Sequence, residues 1–303
     1  MDYTWLLTLP LLFEIRNWLA PRRVKCGVEP QIYIPARGED EALKKTAEYA
    51  VVLRDADDVC REPSCLLLKT TGKSAALEYA VSKSTAEYIA LFDSDVYFTK
   101  EDAEALACAA GDGVATAYRV VKCRDFSTCL AAAVSDFGFL YMSWRRFIWG
   151  GAVGGRREVL ARVYRGVSSH VSDDIYATER ARELGVAIKY VHAAPRSDPP
   201  GRGALENIRW AFRQYAIAYR QGGLWTKLGI LATAAWLATV LAHPEALAIL
   251  YLWTLARRVV LREGSYLHYA AAALPAFVIT AAATAASPFI KKIKWRDRSL
   301  ELR

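Results

Sequence analysis

The chain changes character along its length. Between about positions 30 and 200 short apolar runs alternate with charged stretches, whereas from 224 to 290 long apolar runs carry only a few charges. The short runs are Ile32-Tyr33-Ile34, Val51-Val52-Leu53, Cys65-Leu66-Leu67-Leu68 and Tyr88-Ile89-Ala90-Leu91-Phe92. Runs of this length bounded by polar residues read as strands, and the charged stretches between them as helices. Strands alternating with helices predict a mostly parallel sheet with covering helices. Such a sheet binds ligands at the carboxyl ends of its strands. Polar clusters stand at several of those ends: Pro35-Ala36-Arg37-Gly38-Glu39, Asp55-Ala56-Asp57-Asp58 and Asp93-Ser94-Asp95. One shared crevice is the economical reading.

The later apolar runs are 228–242, 246–256 and 266–290, with His243-Pro244-Glu245 as a turn. At about 1.5 Å per residue, 25 residues reach roughly 38 Å and cross the hydrocarbon core, whereas 15 reach only about 22 Å. The pattern predicts two short spans in a hairpin and one full span. Three spans put Arg257-Arg258-Arg262 and Lys291-Lys292 on opposite sides, although both are basic, so charge does not fix the span count. The opening, from Trp5 to Ala20, is broken by Pro10, Glu14, Arg16 and Asn17 and has no small-residue cleavage site. Followed by Pro21-Arg22-Arg23, it suits an amphipathic helix in the headgroup region, with a core-packing helix as the alternative.

Composition sharpens this picture. With 53% hydrophobic and 24% charged residues the chain is too apolar for disorder. A balance of 40 Lys+Arg against 32 Asp+Glu gives +8, which suits nucleic acid, an anionic membrane or phosphorylated substrates. Arg22-Arg23, Arg257-Arg258, Arg262 and Lys291-Lys292-Ile293-Lys294 border the apolar runs, where they can face lipid headgroups, so the charge favours a membrane over nucleic acid. Asn occurs only at 17 and 207 and Gln only at 31, 214 and 221, a bias associated with hyperthermophiles. Cys26, Cys60, Cys65, Cys108, Cys123 and Cys129 lack the paired C-x-x-C spacing of a zinc site. A Cys60–Cys65 or Cys123–Cys129 disulfide is open to an intracellular protein of a hot environment, as are buried free thiols.

Three clusters carry chemistry. Asp93-Ser94-Asp95 presents two carboxylates where a hard divalent cation can bridge them to a phosphate, with loop capping as the bland alternative. Lys73 follows Gly72 at a helix start, where backbone amides also favour anionic oxygen; the alternative is a solvated lysine. Ser172-Asp173-Asp174 opens a helical stretch, as a cap or as a general base. His192 reads as a structural histidine.

The ordered series I-x-I-P-A-R-x-E, G-K-S-A-A-L, L-F-D-S-D, G-G-A-V-G-G-R-R, S-D-D and R-W, spanning Ile32 to Arg220, resembles the family 2 glycosyltransferases. The resemblance is to their membrane-bound, cellulose-synthase-like and lipid-glycosylating branch, which includes relatives of dolichyl-phosphate mannose synthase and ceramide glucosyltransferase. It implies an α/β fold of the glycosyltransferase A type (Rossmann-like), followed by interfacial helices and a small α-helical transmembrane domain. The division expected is an interfacial helix at 1–23, a catalytic domain at 24–200, interfacial helices at 201–227, transmembrane helices at 228–290 and a basic tail at 291–303.

By the same resemblance Pro35, Arg37 and Glu39 belong to a nucleotide-contacting loop, and Asp55, with Asp57 as its rival, contacts the nucleobase. Lys73 lies near the donor diphosphate, Asp93 near the ribose, and Asp95 is the principal ligand of Mg²⁺ or Mn²⁺, with Asp93 beside it. Gly150 and Gly151 line the acceptor side. Asp174 matches the general base, and Asp173 stands where glutamate is usual. Arg209, Trp210 and Arg213 serve the diphosphate and the acceptor mouth, although Glu206 departs from the pattern that precedes R-W.

The function implied is inverting hexose transfer, with mannose from GDP-mannose as the donor by family analogy. The partners implied are the nucleotide-sugar donor, membrane lipids and a lipid-linked acceptor such as a polyprenyl- or dolichyl-phosphate-linked glycan. The catalytic domain is expected on the cytoplasmic face of a multi-pass membrane protein, and a homo-oligomer stays open. The alternatives are a processive polysaccharide synthase using a UDP-sugar, a membrane nucleotidyltransferase, and a non-catalytic nucleotide-sugar-binding scaffold.

Overall fold

The computed structural model describes Leu11 and residues 25–191, 195–201, 203–261, 264–295 and 298–302. The expected helix at 1–23 therefore lies outside the described residues except for Leu11, as do Arg22-Arg23, His192 and Arg262. In chain order the first elements are β1 (Gln31–Ala36), α1 (Glu41–Thr46), β2 (Val51–Arg54), β3 (Cys65–Leu67), α2 (Lys73–Lys83), β4 (Tyr88–Phe92), β5 (Val96–Tyr97), α3 (Lys100–Ala110), β6 (Val114–Ala117) and β7 (Val120–Val121). They are followed by α4 (Phe126–Arg145), β8 (Ala152–Arg156), α5 (Arg157–Val163), α6 (Asp173–Glu183), β9 (Ile188–Val191) and β10 (Arg196–Ser197). The chain ends in α7 (Ala204–Gln221), α8 (Leu224–Leu241), α9 (Pro244–Leu261), α10 (Tyr266–Ala286), β11 (Lys292–Trp295) and β12 (Arg298–Glu301).

Two units result. The α/β unit takes Asn17–Arg119 together with Arg146–Asp198, and the helical unit takes Met1–Arg16, Val120–Arg145 and Pro199–Arg303. Residues 120–145, expected within the α/β domain, thus belong with the helices. The physical reason is composition: the Ala-rich stretch Cys129–Val134 of α4 is buried in the core of the helical unit.

The α/β unit holds a seven-stranded sheet in the order β3-β2-β1-β4-β8-β6-β9. β3, β2, β1 and β4 are mutually parallel, β8 runs antiparallel to β4 and β6, and β9 is parallel to β6. All four apolar runs read from the sequence are strands of this mixed sheet. Ile34, Val52, Ile89 and Leu91 are almost fully buried, as near-continuous apolar strands covered on both faces must be. β8 escaped the apolar pattern because two of its residues are Gly154 and Gly155. A Cβ on Gly154 would lie 2.6 Å from Leu106 Cβ, so the glycine is what lets α3 pack directly on the sheet. α3 itself is started by a capping box, in which Thr99 and Asp102 satisfy each other's backbone N–H groups.

All six cysteines are paired, as Cys26–Cys108, Cys60–Cys65 and Cys123–Cys129. The two short-range pairs match the spacing reading, while Cys26–Cys108 joins residues 82 apart that only the fold brings together.

In the helical unit Ala131, Ala132, Ala133, Ala211, Ala272 and Ala276 are fully buried, and side chains this small let helices approach closely. α8 and the stretch Tyr266–Phe289 are long and apolar enough to cross a membrane. The span pattern expected from sequence is revised here: α9 is one continuous helix to Leu261, and it holds a buried ionic cluster. Arg257 and Arg258, expected at lipid headgroups, are 1% and 0% exposed. Arg258 Nε donates to Asp136 Oδ2 of α4 at 2.9 Å and its Nη1 to the Val121 carbonyl at 3.1 Å. Tyr269 donates to the same Asp136 oxygen at 2.7 Å, and Arg257 Nη1 to the Asp136 carbonyl at 3.1 Å. A charge pattern cannot distinguish an arginine facing lipid from one facing a carboxylate 122 residues away. The basic tail is also not a free arm: β11 and β12 pair as an antiparallel hairpin, and Lys292 lies 3.2 Å from Glu301.

Removing Asp136 leaves the Arg258 guanidinium buried without its carboxylate, which costs about 3–5 kcal/mol. Asp136→Ala is therefore expected to lower the thermal unfolding midpoint of the detergent-solubilised chain by several degrees, and an unchanged midpoint contradicts the assignment.

Candidate active site

The carboxyl ends of β1, β2 and β4 carry the acidic and basic residues singled out in the sequence. β2 ends in Arg54, whose side chain is 2% exposed and donates to Asp58 at 2.6 Å, to Glu62 at 2.9 Å and to the Gly38 carbonyl at 3.1 Å. Glu62 stands inside the loop that the Cys60–Cys65 disulfide closes, so covalent and ionic ties together fix the turn after β2. Asp55, 6% exposed, accepts the Gly72 N–H at 2.8 Å and so joins the end of β2 to the start of α2. Gly72 has φ +102°, a conformation that a residue with a Cβ rarely adopts. Arg37 reaches both rivals for the nucleobase role, 3.6 Å from Asp55 and 3.2 Å from Asp57. Pro35 is a buried residue of β1, and Glu39 is exposed and pairs with Arg61 and Lys44.

Lys73, the first residue of α2, stands between two carboxylates: Nζ is 2.7 Å from Asp93 Oδ1 and 3.0 Å from Asp173 Oδ2. Asp93 follows β4, and its N–H is held by the Gly151 carbonyl at 3.2 Å. Burial works to lower the Lys73 ammonium, but Asp173 and Asp93 outweigh it and hold the group well above its ordinary value. For Asp173 burial wins: it is pushed up to about 7 against the pull of Lys73, with Asp174 and Asp93 adding to the rise. The space for Asp173 comes from Gly150, where a Cβ would lie 2.4 Å from Asp173 Oδ2. Gly151 has a tight neighbour of its own, with the Trp149 ring 2.2 Å from where a Cβ would lie.

Asp174 differs from its neighbour. It is partly exposed in the first turn of α6, and its Oδ1 accepts from Ser172 and, at 2.9 Å, from the Ile175 N–H. Ser172 Oγ is the helix cap and accepts the same Ile175 N–H at 3.5 Å, so Asp174 shares the capping of α6. Asp95, two residues after Asp93, lies 3.3 Å from Arg119 Nη2. Burial pushes Asp95 up to about 6, Arg119 opposes that, and Asp93 and Asp40 add to it.

The structure thus brings Asp55, Lys73, Asp93, Asp173 and Gly150 into one linked set, with Asp95 beside it and Asp174 at the start of α6. Arg209, Trp210 and Arg213 lie on α7 of the helical unit, where Arg209 is exposed and Trp210 packs partly against the helical core. Two residues that sequence reading missed matter here. Arg119 follows β6, 24 residues from its partner Asp95, a pairing with no local signal. Tyr164 is fully buried, and burial, with the charge of Asp173 adding to it and Lys73 opposing, holds its hydroxyl well above the ordinary value. Asp93 and Asp95 offer the hard oxygen donors that Mg²⁺ and Mn²⁺ prefer. Cys26, Glu104 and Cys108 also cluster at metal-ligand spacing, but the disulfide removes both thiolates from consideration.

Residues 64–129, which carry Lys73, Asp93, Asp95 and Arg119, match the family model Glycosyl transferase family 2. That match gives the enzymatic class, a nucleotide-sugar-dependent glycosyltransferase. No curated protein matches the sequence significantly. Among solved structures, a mannosyltransferase from Pyrobaculum calidifontis in complex with GDP-Man and Mn²⁺ is similar at 17% identity, covering 94% of this chain and 98% of that one, with a TM-score of 0.48. A glucosyl-3-phosphoglycerate synthase from Mycobacterium tuberculosis, in complex with Mg²⁺ and uridine diphosphate, is similar at 12% identity over 70% of this chain and 83% of that one, with a TM-score of 0.44. Neither likeness reaches a TM-score of 0.5, and the site rests on its own side chains.

Gly150→Ala tests the link between Lys73 and Asp173. The added methyl must displace the carboxylate, and a misplacement of about 1 Å in a reacting site costs on the order of a hundredfold in rate. A large loss of turnover with a thermal midpoint within a few degrees of wild type is expected; unchanged turnover contradicts the role given to Asp173.

Proposed function

We propose that the chain is a membrane-bound inverting glycosyltransferase that moves a hexose, with mannose from GDP-mannose as the proposed donor, onto a lipid-linked acceptor such as a polyprenyl-phosphate-linked glycan. The observation that carries this reading is the convergence of Lys73, Asp93 and Asp173 within ion-pair distance at the end of the sheet. Asp93 and Asp95 would hold Mg²⁺ or Mn²⁺, which when bound supplies positive charge for a diphosphate. Lys73 would bind a phosphate oxygen of the donor, while Asp55 and Arg37 would meet the nucleoside.

Asp174 acts as the general base. The acceptor hydroxyl oxygen forms a bond to the anomeric carbon as its proton passes to Asp174. The bond from that carbon to the diphosphate breaks on the opposite face, releasing nucleoside diphosphate and inverting the configuration. Asp173, held by Lys73, orients the start of α6 on which Asp174 sits.

Membrane attachment is supported by the exposed apolar side chains of the two candidate spans. Trp225 is 68% exposed, Leu267 80% and Phe289 81%, more large apolar surface than a water-facing helix pair carries. Lys227, in the first turn of α8, and Lys291 and Lys292, just after the second segment, place the charge that anionic headgroups attract at the ends of those segments. The donor site is proposed to face the cytoplasm, where nucleotide sugars are available. A single addition per encounter is proposed, since a polymer channel needs more spanning helices than the two candidates among the described residues.

A panel of labelled nucleotide sugars, supplied to lipid-supplemented full-length protein with and without Mg²⁺ or Mn²⁺, tests the reading. One donor should be consumed with release of nucleoside diphosphate and transfer of sugar to lipid. Asp174→Asn is expected to retain donor binding and lose about 10²–10⁴-fold in turnover. Asp95→Asn is expected to lose metal-dependent donor binding as well. Release of sugar 1-phosphate instead of nucleoside diphosphate would point to nucleotidyl transfer, and donor binding without turnover under every condition would leave the scaffold reading.

A further inference from the structure

Both carboxylates of Asp93-Ser94-Asp95 already have cationic partners. Lys73 Nζ is 2.7 Å from Asp93 Oδ1, and Arg119 Nη2 is 3.3 Å from Asp95 Oδ2. Lys73 is shared with Asp173, at 3.0 Å. Arg119 is not a loose surface side chain: its Nε donates to Ser197 Oγ at 2.7 Å, its Nη2 reaches the Asp198 carbonyl at 3.3 Å, and its guanidinium lies 5.9 Å from the centre of the Trp149 ring. The antiparallel pairing of β5 with β10, continued by the Asp198 N–H bonded to the Asp95 carbonyl at 3.0 Å, carries Ser197 and Asp198 alongside Asp95. The fold therefore aims Arg119 at Asp95.

A divalent cation entering this site alone meets two carboxylates whose charge is already compensated, and two fixed positive groups repel it. A diphosphate changes the balance. Its oxygens are strong acceptors for an ammonium and for a guanidinium, which binds phosphate in a planar fork. Once phosphate engages Lys73 and Arg119, Asp93 and Asp95 turn their charge to the metal.

The geometry points to Arg119 and Lys73 as placeholders that make metal loading depend on the nucleotide: the cation binds weakly to the free protein and tightly only with the diphosphate. Arg119 is the positioning residue that sets the strength of this coupling, and it becomes a phosphate ligand in the loaded state. The inference rests on the reading of Asp93 and Asp95 as metal ligands.

The test is Mn²⁺ binding by full-length protein, followed by electron paramagnetic resonance of the free ion, with and without saturating GDP or UDP. Titration of nucleotide alone accounts for its own chelation. In wild type the nucleotide should tighten Mn²⁺ binding by about tenfold or more, and by linkage Mn²⁺ should tighten the nucleotide by the same factor. Arg119→Met and Arg119→Gln should each bind Mn²⁺ more tightly than wild type without nucleotide, and the coupling should shrink toward about onefold to threefold, below the usual range for coupled sites.

Equal Mn²⁺ affinity in free and nucleotide-bound wild type overturns the inference without any variant being needed. Unchanged or weaker Mn²⁺ binding in folded Arg119 variants, while the nucleotide-bound wild type still takes up Mn²⁺, overturns it and leaves the metal-ligand reading standing. Failure of wild type to bind Mn²⁺ in any state overturns that reading and the inference together.

Discussion

One ammonium group organises this site. Lys73 stands 2.7 Å from Asp93 and 3.0 Å from Asp173, and through these contacts a strand end, a helix start and a second helix start converge. Each neighbour is arranged around it. Gly72 supplies the backbone turn that begins α2, Asp55 holds that turn to β2, and Gly150 leaves the volume that Asp173 fills. The cluster is poised between opposing effects. Burial disfavours the charges of Lys73 and Asp173; the carboxylates beside Lys73 outweigh it and keep the ammonium well above its ordinary value, while Asp173 is pushed up to about 7. A site held together by its own counter-charges can readily exchange one of them for a substrate oxygen.

The helical unit uses a buried ionic cluster to a different end. Asp136, Arg258 and Tyr269 meet in a core otherwise built of alanine and other apolar side chains, and they join α4 to α9 and α10. Alanine faces slide past one another at little cost, so the orientation of these helices rests on the larger contacts between them, the edge-to-face pair Phe137–Phe277 and this ionic cluster. A buried carboxylate with two arginines beside it has one satisfactory arrangement, which is why charge appears where the hydropathy pattern alone calls for lipid-facing surface.

Much of the α/β unit was legible because its strands are short apolar runs ending in polar clusters, which is how a covered parallel sheet must read. β8 was not, because two of its five residues are glycines where a strand reader looks for branched side chains, and those glycines answer to α3 rather than to strand propensity. The acidic pair, Lys73 and Ser172-Asp173-Asp174 were visible as local clusters at element ends. Their geometry was not. That Asp173 is buried against Gly150 while Asp174 stays partly exposed depends on contacts across more than twenty residues. Arg119, Arg257 and Arg258 show the same limit: an arginine's role is set by the carboxylate opposite it, which sequence spacing does not supply.

The central claim is that the Lys73 cluster receives the diphosphate of a nucleotide sugar, and calorimetric binding of GDP and UDP to wild type and Lys73→Met tests it most directly. The account predicts that wild type binds at least one of the two and that the variant, still folded, binds it at least about tenfold more weakly, the loss of a charge-assisted hydrogen bond. Equal nucleotide affinity in the folded variant would contradict it.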